Sequence, residues 1–145
     1  MELFVNFKTF VCLLVGTVFG GIVNLMGGWT EDMTTLLIFM GVDFTLGILI
    51  AAFWKKSNKS ESGALSSWSA WKGLCRKGVT LLVVLVAYRL DITLGVDYIK
   101  TAVIIAFIAN EGISILENLG IMGVHYPAAL KKALDILTEK SEECE

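Results

Sequence analysis

The chain has 145 residues, of which 55% are hydrophobic, and its mean hydropathy is +0.71. A soluble domain of this length has too much surface for its volume to bury so many apolar side chains, so the composition excludes an ordinary soluble protein. The formal net charge of −2 is less informative than the placement of the charges. Cysteines occur at Cys12, Cys75 and Cys144, and their odd number without regular spacing argues against a disulfide framework or a zinc site.

The first predicted element is a long apolar helix. Thr9–Thr30 carries no charged side chain and is long enough to cross a hydrocarbon core of about 30 Å. It is too long for a signal peptide and lacks the small-residue cleavage pattern of one. Within it Gly16, Gly20 and Asn24 recur at every fourth residue, which predicts a helix-packing seam.

A second span, Met33–Trp54, is interrupted by one charge at Asp43 and is followed by a basic, serine-rich segment. That segment, residues 55–77, holds half of the 12 Lys and Arg residues: Lys55, Lys56, Lys59, Lys72, Arg76 and Lys77. Trp68 and Trp71 lie among these cations. One interpretation is a short helix in the headgroup region, attracted to anionic membrane lipid. The other is an aromatic belt that anchors the flanking spans. Both predict a membrane-surface segment.

Two weaker spans and a short terminal helix follow. Gly78–Gly95 contains Arg89 and Asp91, and Thr101–Met122 contains several polar residues. Pro127 suits the first turn of a new helix. Beyond it, apolar residues recur on one helical face at Leu130, Ala133, Leu134 and Leu137.

We therefore expect an all-α integral membrane protein with about four transmembrane helices within residues 1–126. Residues 127–145 are expected to form a short cytoplasmic amphipathic helix with a charged tail. A three-span version, in which one weaker segment lies flat or re-entrant, remains open. Because Lys and Arg are retained on the cytoplasmic side, residues 55–77 are expected inside. Four spans then place both termini in the cytoplasm.

Several polar residues fall inside the predicted spans, where a charge at mid-bilayer costs about 2.5–3.5 kcal/mol on the insertion scale. Asp43 and Arg89 are both expected near the midplane, where they are able to pair, and Asp91 lies close by. All three are candidates for a contact between chains or for the lining of a pore. The last span carries a polar stripe with flanking carboxylates: Asn110, Glu111, Ser114, Glu117 and Asn118. Two interpretations remain open. The stripe is either a polar zipper that fixes helix packing, or a face that lines water once several copies assemble.

The sequence contains no recognisable catalytic motif. A Walker-type loop, a nucleophile elbow, a dinucleotide fingerprint and an HExxH pattern are all missing. His125 is the only histidine, which excludes an imidazole cluster. The position of the basic segment between two spans already explains its charge, so we expect no nucleic-acid partner. We expect neither an enzyme nor a cofactor or metal site.

Three blocks of the sequence are similar to those of a known family. They are Phe39–Leu49 followed by Lys55 and Lys56, then Ser66–Gly78, and finally Ala109–Asn118 with Gly123 and Pro127 behind it. Through these blocks, residues 35–138 resemble the toxin-secretion and phage-lysis holin family.

The resemblance implies a phage- or prophage-encoded holin, or a relative that releases large toxins of clostridial type. Such proteins assemble as homo-oligomers in the bacterial cytoplasmic membrane, collapse the membrane potential and let a cytosolic endolysin reach the peptidoglycan. The sequence does not distinguish an endolysin from a toxin as the cargo. From the residues alone, a small oligomeric ion channel and a membrane scaffold subunit remain alternatives.

Overall fold

The structure, a computed structural model, describes residues 2–54 and 67–142. Its helices are α1 (Glu2–Leu25), α2 (Glu31–Leu49), α3 (Ser67–Leu94), α4 (Ile99–Met122) and α5 (Ala128–Glu142), and a π-helical turn, Ile50–Trp54, continues α2. The described residues contain no strand, so the all-α prediction is confirmed. Lys55 and Lys56, which were predicted at the membrane surface, lie outside the described residues.

Three of the described helices are long and apolar enough to cross a membrane, namely Asn6–Leu25, Glu31–Phe53 and Ile99–Met122. The fourth long helix, α3, has 28 residues and carries charges in both halves. It begins at Ser67, whereas the sequence suggested a span that starts only at Gly78. The second part of the basic segment is therefore one continuous helix with the predicted third span.

The described chain divides into two compact units, Met1–Thr30 and Glu31–Glu145. In the first unit, α1 exposes large apolar side chains all around its axis, including Phe7, Leu13 and Phe19. A helix that is apolar on every side is suited to a lipid environment. The helix ends in a turn in which the Gly28 N–H donates to the Val23 carbonyl at 3.0 Å.

In the second unit, α2, α3 and α4 pack around a common core. Its most deeply buried side chains are Leu36, Ile50, Val84 and Ile104. The inward face of α3 follows alternating spacings of three and four residues: Ala70, Gly73, Lys77, Thr80, Val84, Ala87 and Asp91. Such spacing keeps one stripe of a helix against its neighbours. This stripe places two charged residues inside the helical unit.

The C-terminal helix folds back along α4. Gly123 has a φ of 73°, which glycine adopts without steric cost, and its N–H donates to the Gly120 carbonyl at 3.1 Å. The turn brings Leu134 of α5 against Gly112, in the middle of α4. Leu134 is buried at 3% exposure, whereas Leu130 and Ala133 are exposed. The predicted apolar stripe of α5 is thus reduced in the structure to Leu134 and the half-buried Leu137.

Gly112 is expected to be the position that admits α5. A Cβ built there overlaps Cδ2 of Leu134 and lies 3.1 Å from Cδ1, so Gly112→Ala must displace that side chain. We expect the substitution to lower the free energy of unfolding in detergent by about 1–3 kcal/mol, as overpacking does. Leu134→Ala in the same chain should remove part of that cost, which a double-mutant cycle by circular dichroism measures.

Gly120→Ala is the matched control, because it lies on the same helix and a Cβ there meets nothing within 4 Å. Alanine favours a helix more than glycine does, so this control should be neutral or slightly stabilising. Equal losses at positions 112 and 120 would show that α5 does not dock on Gly112.

Candidate functional site

Four polar side chains from three helices meet inside the second unit. The Lys77 Nζ of α3 donates to Asp43 Oδ2 of α2 at 3.0 Å and to Glu111 Oε2 of α4 at 2.5 Å. The Asn118 amide nitrogen of α4 donates to the other Asp43 oxygen at 2.9 Å. We call Asp43, Lys77, Glu111 and Asn118 the ion network. Its hydrogen bonds join α2 to α3, α3 to α4 and α2 to α4.

The network is shielded from its surroundings. Asp43 is 4% exposed, Asn118 8% and Glu111 9%, and the Lys77 side chain is 13% exposed. Charges so deeply buried are tolerated when they are paired and hydrogen-bonded. One ammonium group serves two carboxylates here, and the Asn118 amide supplies a further donor to Asp43. The arrangement is suited to holding α2, α3 and α4 in register.

Lys77, and not Arg89, is the cation that pairs with Asp43. Arg89 is exposed and lies about 18 Å further along α3 at 1.5 Å per residue, so the suggested pairing of Asp43 with Arg89 is wrong. The Lys77 side chain points into the unit, at 13% exposure, and its predicted place at the membrane surface stays a prediction. The regular spacing of Lys77 with Thr80, Val84 and Ala87 was the signal that would have identified it.

The polar stripe of α4 is divided between two environments. Glu111 and Asn118, two helical turns apart, are buried in the ion network. Ser114 is half-buried between them in sequence, whereas Asn110 and Glu117 are exposed on another face of the helix. The interpretation of the stripe as a polar zipper therefore fits Glu111 and Asn118, which bond to other helices of the same chain. It leaves the role of Asn110 and Glu117 open.

Asp91 has a local structural role at the end of α3. It is 5% exposed, and its two carboxylate oxygens accept the backbone N–H groups of Ile99 at 2.8 Å and Lys100 at 2.9 Å. These are among the first N–H groups of α4, which have no partner inside the helix. Asp91 thus caps α4 from the preceding helix and fixes α3 and α4 as antiparallel neighbours.

The membrane-surface residues predicted on the basic segment lie on the first turns of α3. Trp68, Trp71, Lys72 and Arg76 are all exposed, and the Lys72 ammonium lies 5.3 Å from the centre of the Trp68 ring. This is a distance at which a cation and an aromatic face attract. Their contact with anionic lipid stays a prediction.

Gly16, Gly20 and Asn24 are exposed on α1, and a Cβ at either glycine meets nothing within 4 Å. Their use as a packing seam also stays a prediction. In the part of the chain that the structure describes, no group of three or more His, Cys, Asp or Glu residues is placed to hold a metal ion.

The helices and the buried ion network define a class of small helical membrane protein, and comparison with known proteins supplies the family. Residues 20–139 match the model of the bacteriophage holin family. The chain is 36% identical over 135 residues to an uncharacterised protein of Clostridium perfringens strain 13, which covers 90% of this chain and 94% of that protein. It is 32% identical over 117 residues to the "Probable holin" of Bacillus phage phi105, covering 80% and 81% respectively. No solved structure matches.

The chain belongs to the bacteriophage holin family. This is a family of membrane pore-forming proteins and not of enzymes, so the resemblance seen in the sequence and the expectation of a non-enzymatic membrane protein are both confirmed.

Proposed function

We propose that this chain assembles as a homo-oligomer in the bacterial cytoplasmic membrane and forms lesions that collapse the membrane potential. The lesions then release a cytosolic endolysin, or in a toxin-secreting setting a large toxin. The observation that carries the proposal is the family match over residues 20–139, which includes α2, α3, α4 and the whole ion network. The long apolar helices supply the membrane-spanning part.

The proposed topology is multi-pass with both termini in the cytoplasm. It is supported by the cations of residues 55–77, which favour the cytoplasmic side. Glu111 lies about 18 Å along α4 from Ile99, and Asp43 about 18 Å along α2 from Glu31. With the starts of α2 and α4 at the outer surface, the ion network lies near the middle of a hydrocarbon core of about 30 Å.

The ion network makes a single chain tolerable in lipid. An unpaired charge at that depth costs about 2.5–3.5 kcal/mol on the insertion scale, and the pairing of Lys77 with two carboxylates reduces this cost. Asn110 and Glu117 remain exposed on α4. Moving these groups from lipid to water or to protein is therefore favourable, and association of several chains provides such a place. Lesion formation then depends steeply on the amount of protein in the membrane.

The test is inducible expression of the intact chain in bacteria together with an endolysin that lacks a signal peptide. Culture density and membrane potential are followed in the same culture. We expect a sudden loss of potential followed by clearing of the culture, because the lesion passes a folded enzyme. Expression of the chain without endolysin should give the loss of potential alone, and endolysin without the chain should give neither.

The same experiment separates the proposal from other functions. Loss of potential without clearing in the presence of active endolysin would show a small-ion pore. If neither event follows although membrane fractionation confirms insertion, the chain is a scaffold and the proposed lesion is wrong.

A further inference from the structure

An exposed face of α4 carries polar and small side chains, with one isoleucine among them, along most of a predicted span. Its members are spaced by three or four residues and are all exposed: Ala106, Asn110, Ile113, Glu117 and Gly120. We call them the α4 face. They lie on a different side of the helix from Glu111 and Asn118, which the ion network occupies. The core of the unit and α5 therefore leave this face uncovered.

Lipid is a poor neighbour for the α4 face. A carboxylate inside a spanning helix turns toward a partner or water, and Ala106 and Gly120 let another helix approach closely. The ion pairs found within the described residues are those of Lys77 with Asp43 and Glu111. Neither Lys72 nor Arg76 of the same chain forms one with Glu117. Among the residues that the structure describes, no cation is paired with Glu117 on this face.

Two exposed cations of α3 lie at the matching depth. The Lys77–Glu111 pair fixes the register of the antiparallel helices α3 and α4, and the Asp91 cap fixes it again at the other end. Measured along its own helix at 1.5 Å per residue, Lys72 is about 7.5 Å from Lys77, and Glu117 is about 9 Å from Glu111 in the same direction. Lys72 and Glu117 are therefore level to within about 2 Å. Arg76 is close to the level of Asn110.

We propose that the α4 face of one chain packs against the exposed Lys72 and Arg76 of a second copy, with Glu117 paired to those cations. This rests on the proposed function, in which copies associate in the membrane. The contact joins two different surfaces, so each chain offers one α4 face and one cationic face. A head-to-tail contact of this kind repeats from copy to copy and closes a ring where the rotation permits. Charge complementarity selects the partner, and the small residues permit close packing.

The charges of the two faces predict two variants that are each impaired when expressed alone and that act normally when expressed together. Glu117→Lys gives a chain with two cationic faces, and the double variant Lys72→Glu with Arg76→Glu gives a chain with two acidic faces. Like charges at an interface repel, so each variant should need at least about tenfold more protein for loss of membrane potential. Co-expressed, the two chains can alternate with every contact complementary, and the potential should collapse at nearly the wild-type amount. Lys131→Glu, at an exposed position of α5, is the control and should act as wild type.

If a charge reversal impairs insertion, cross-linking tests the same contact between two chains. Cys12, Cys75 and Cys144 are first replaced by Ser, and two differently tagged chains carry Glu117→Cys and Lys72→Cys respectively. In membranes of cells that express both chains, a short bismaleimide should link the two cysteines and so give a product that carries both tags. In the control, Ile38→Cys, on the exposed apolar side of α2, replaces Glu117→Cys, and no such product should form. No link between the tags in cells whose potential does collapse overturns the interface and leaves the proposed function standing. If the wild-type chain does not collapse the potential, the proposed function itself fails.

Discussion

Lys77→Met is expected to be the most damaging single substitution in the ion network. It removes the ammonium that donates to Asp43 and Glu111 and leaves two carboxylates buried beside each other. Removing one partner of a buried ion pair typically destabilises a protein by about 3–5 kcal/mol. Methionine keeps the length and most of the apolar stem of lysine, so the loss reports the charge and not a cavity. We expect a large decrease in the membrane-inserted amount and in the free energy of unfolding in mixed micelles.

The control and the rescue use residues of the same chain. Arg89→Met removes a cation from the exposed side of the same helix and should leave both quantities nearly unchanged. Neutralising both carboxylates in the Lys77→Met background, with Asp43→Asn and Glu111→Gln, should recover much of the loss because no unpaired charge then remains in the ion network. If Lys77→Met and Arg89→Met behave alike, the ion network does not stabilise the unit.

Helices α1, α2 and α4 were predictable because each is a long run of mostly apolar residues, and membrane thickness fixes the length that such runs need. Asp43 and Glu111 stood out because each interrupts an apolar span. Their partner Lys77 did not stand out, because it is one of several cations in the basic segment, and the position of that segment between two spans already explains its charge. Deciding between Lys77 and Arg89 required the helical register of α3 against α2. The two cations lie about 18 Å apart along α3, so only one of them is level with Asp43.

The sequence also could not divide the polar residues of α4 between the inside and the outside of the unit. Asn110 and Glu111 are adjacent in the chain, yet one is exposed and the other is 9% exposed within the ion network. Adjacent residues on a helix differ in direction by about 100°, so a polar stripe wide enough to include both spans two environments. Which half faces inward depends on where α2, α3 and α5 pack. That placement follows from the contacts of Lys77 with Asp43 and Glu111 and of Leu134 with Gly112, which join residues distant in sequence.

Asp91→Ala is expected to loosen the connection between α3 and α4. The carboxylate accepts two N–H groups at the start of α4, and its loss leaves both donors without that partner, the one of Lys100 in a buried position and the one of Ile99 in a part-buried position. A lost helix cap costs about 0.5–2 kcal/mol and a buried unsatisfied donor about 1–3 kcal/mol, so a total of about 2–4 kcal/mol is expected. Asp91→Asn keeps one acceptor oxygen and should fall between Ala and wild type.

Hydrogen exchange at the amides of Ile99 and Lys100 locates the effect, and unfolding in detergent gives its size. Both amides should exchange faster in Asp91→Ala, and Asp97→Ala, an exposed acidic residue in the same connection, should change neither measurement. The sequence alone suggested a second role for Asp91, at a pore or between chains. That role would appear as a shift in the timing of potential loss in Asp91→Asn with unchanged exchange and stability. If Asp91 acts only by capping α4, a variant changes the timing of potential loss only to the extent that it changes the amount of folded protein in the membrane, because Asp91 then serves only to hold two helices together.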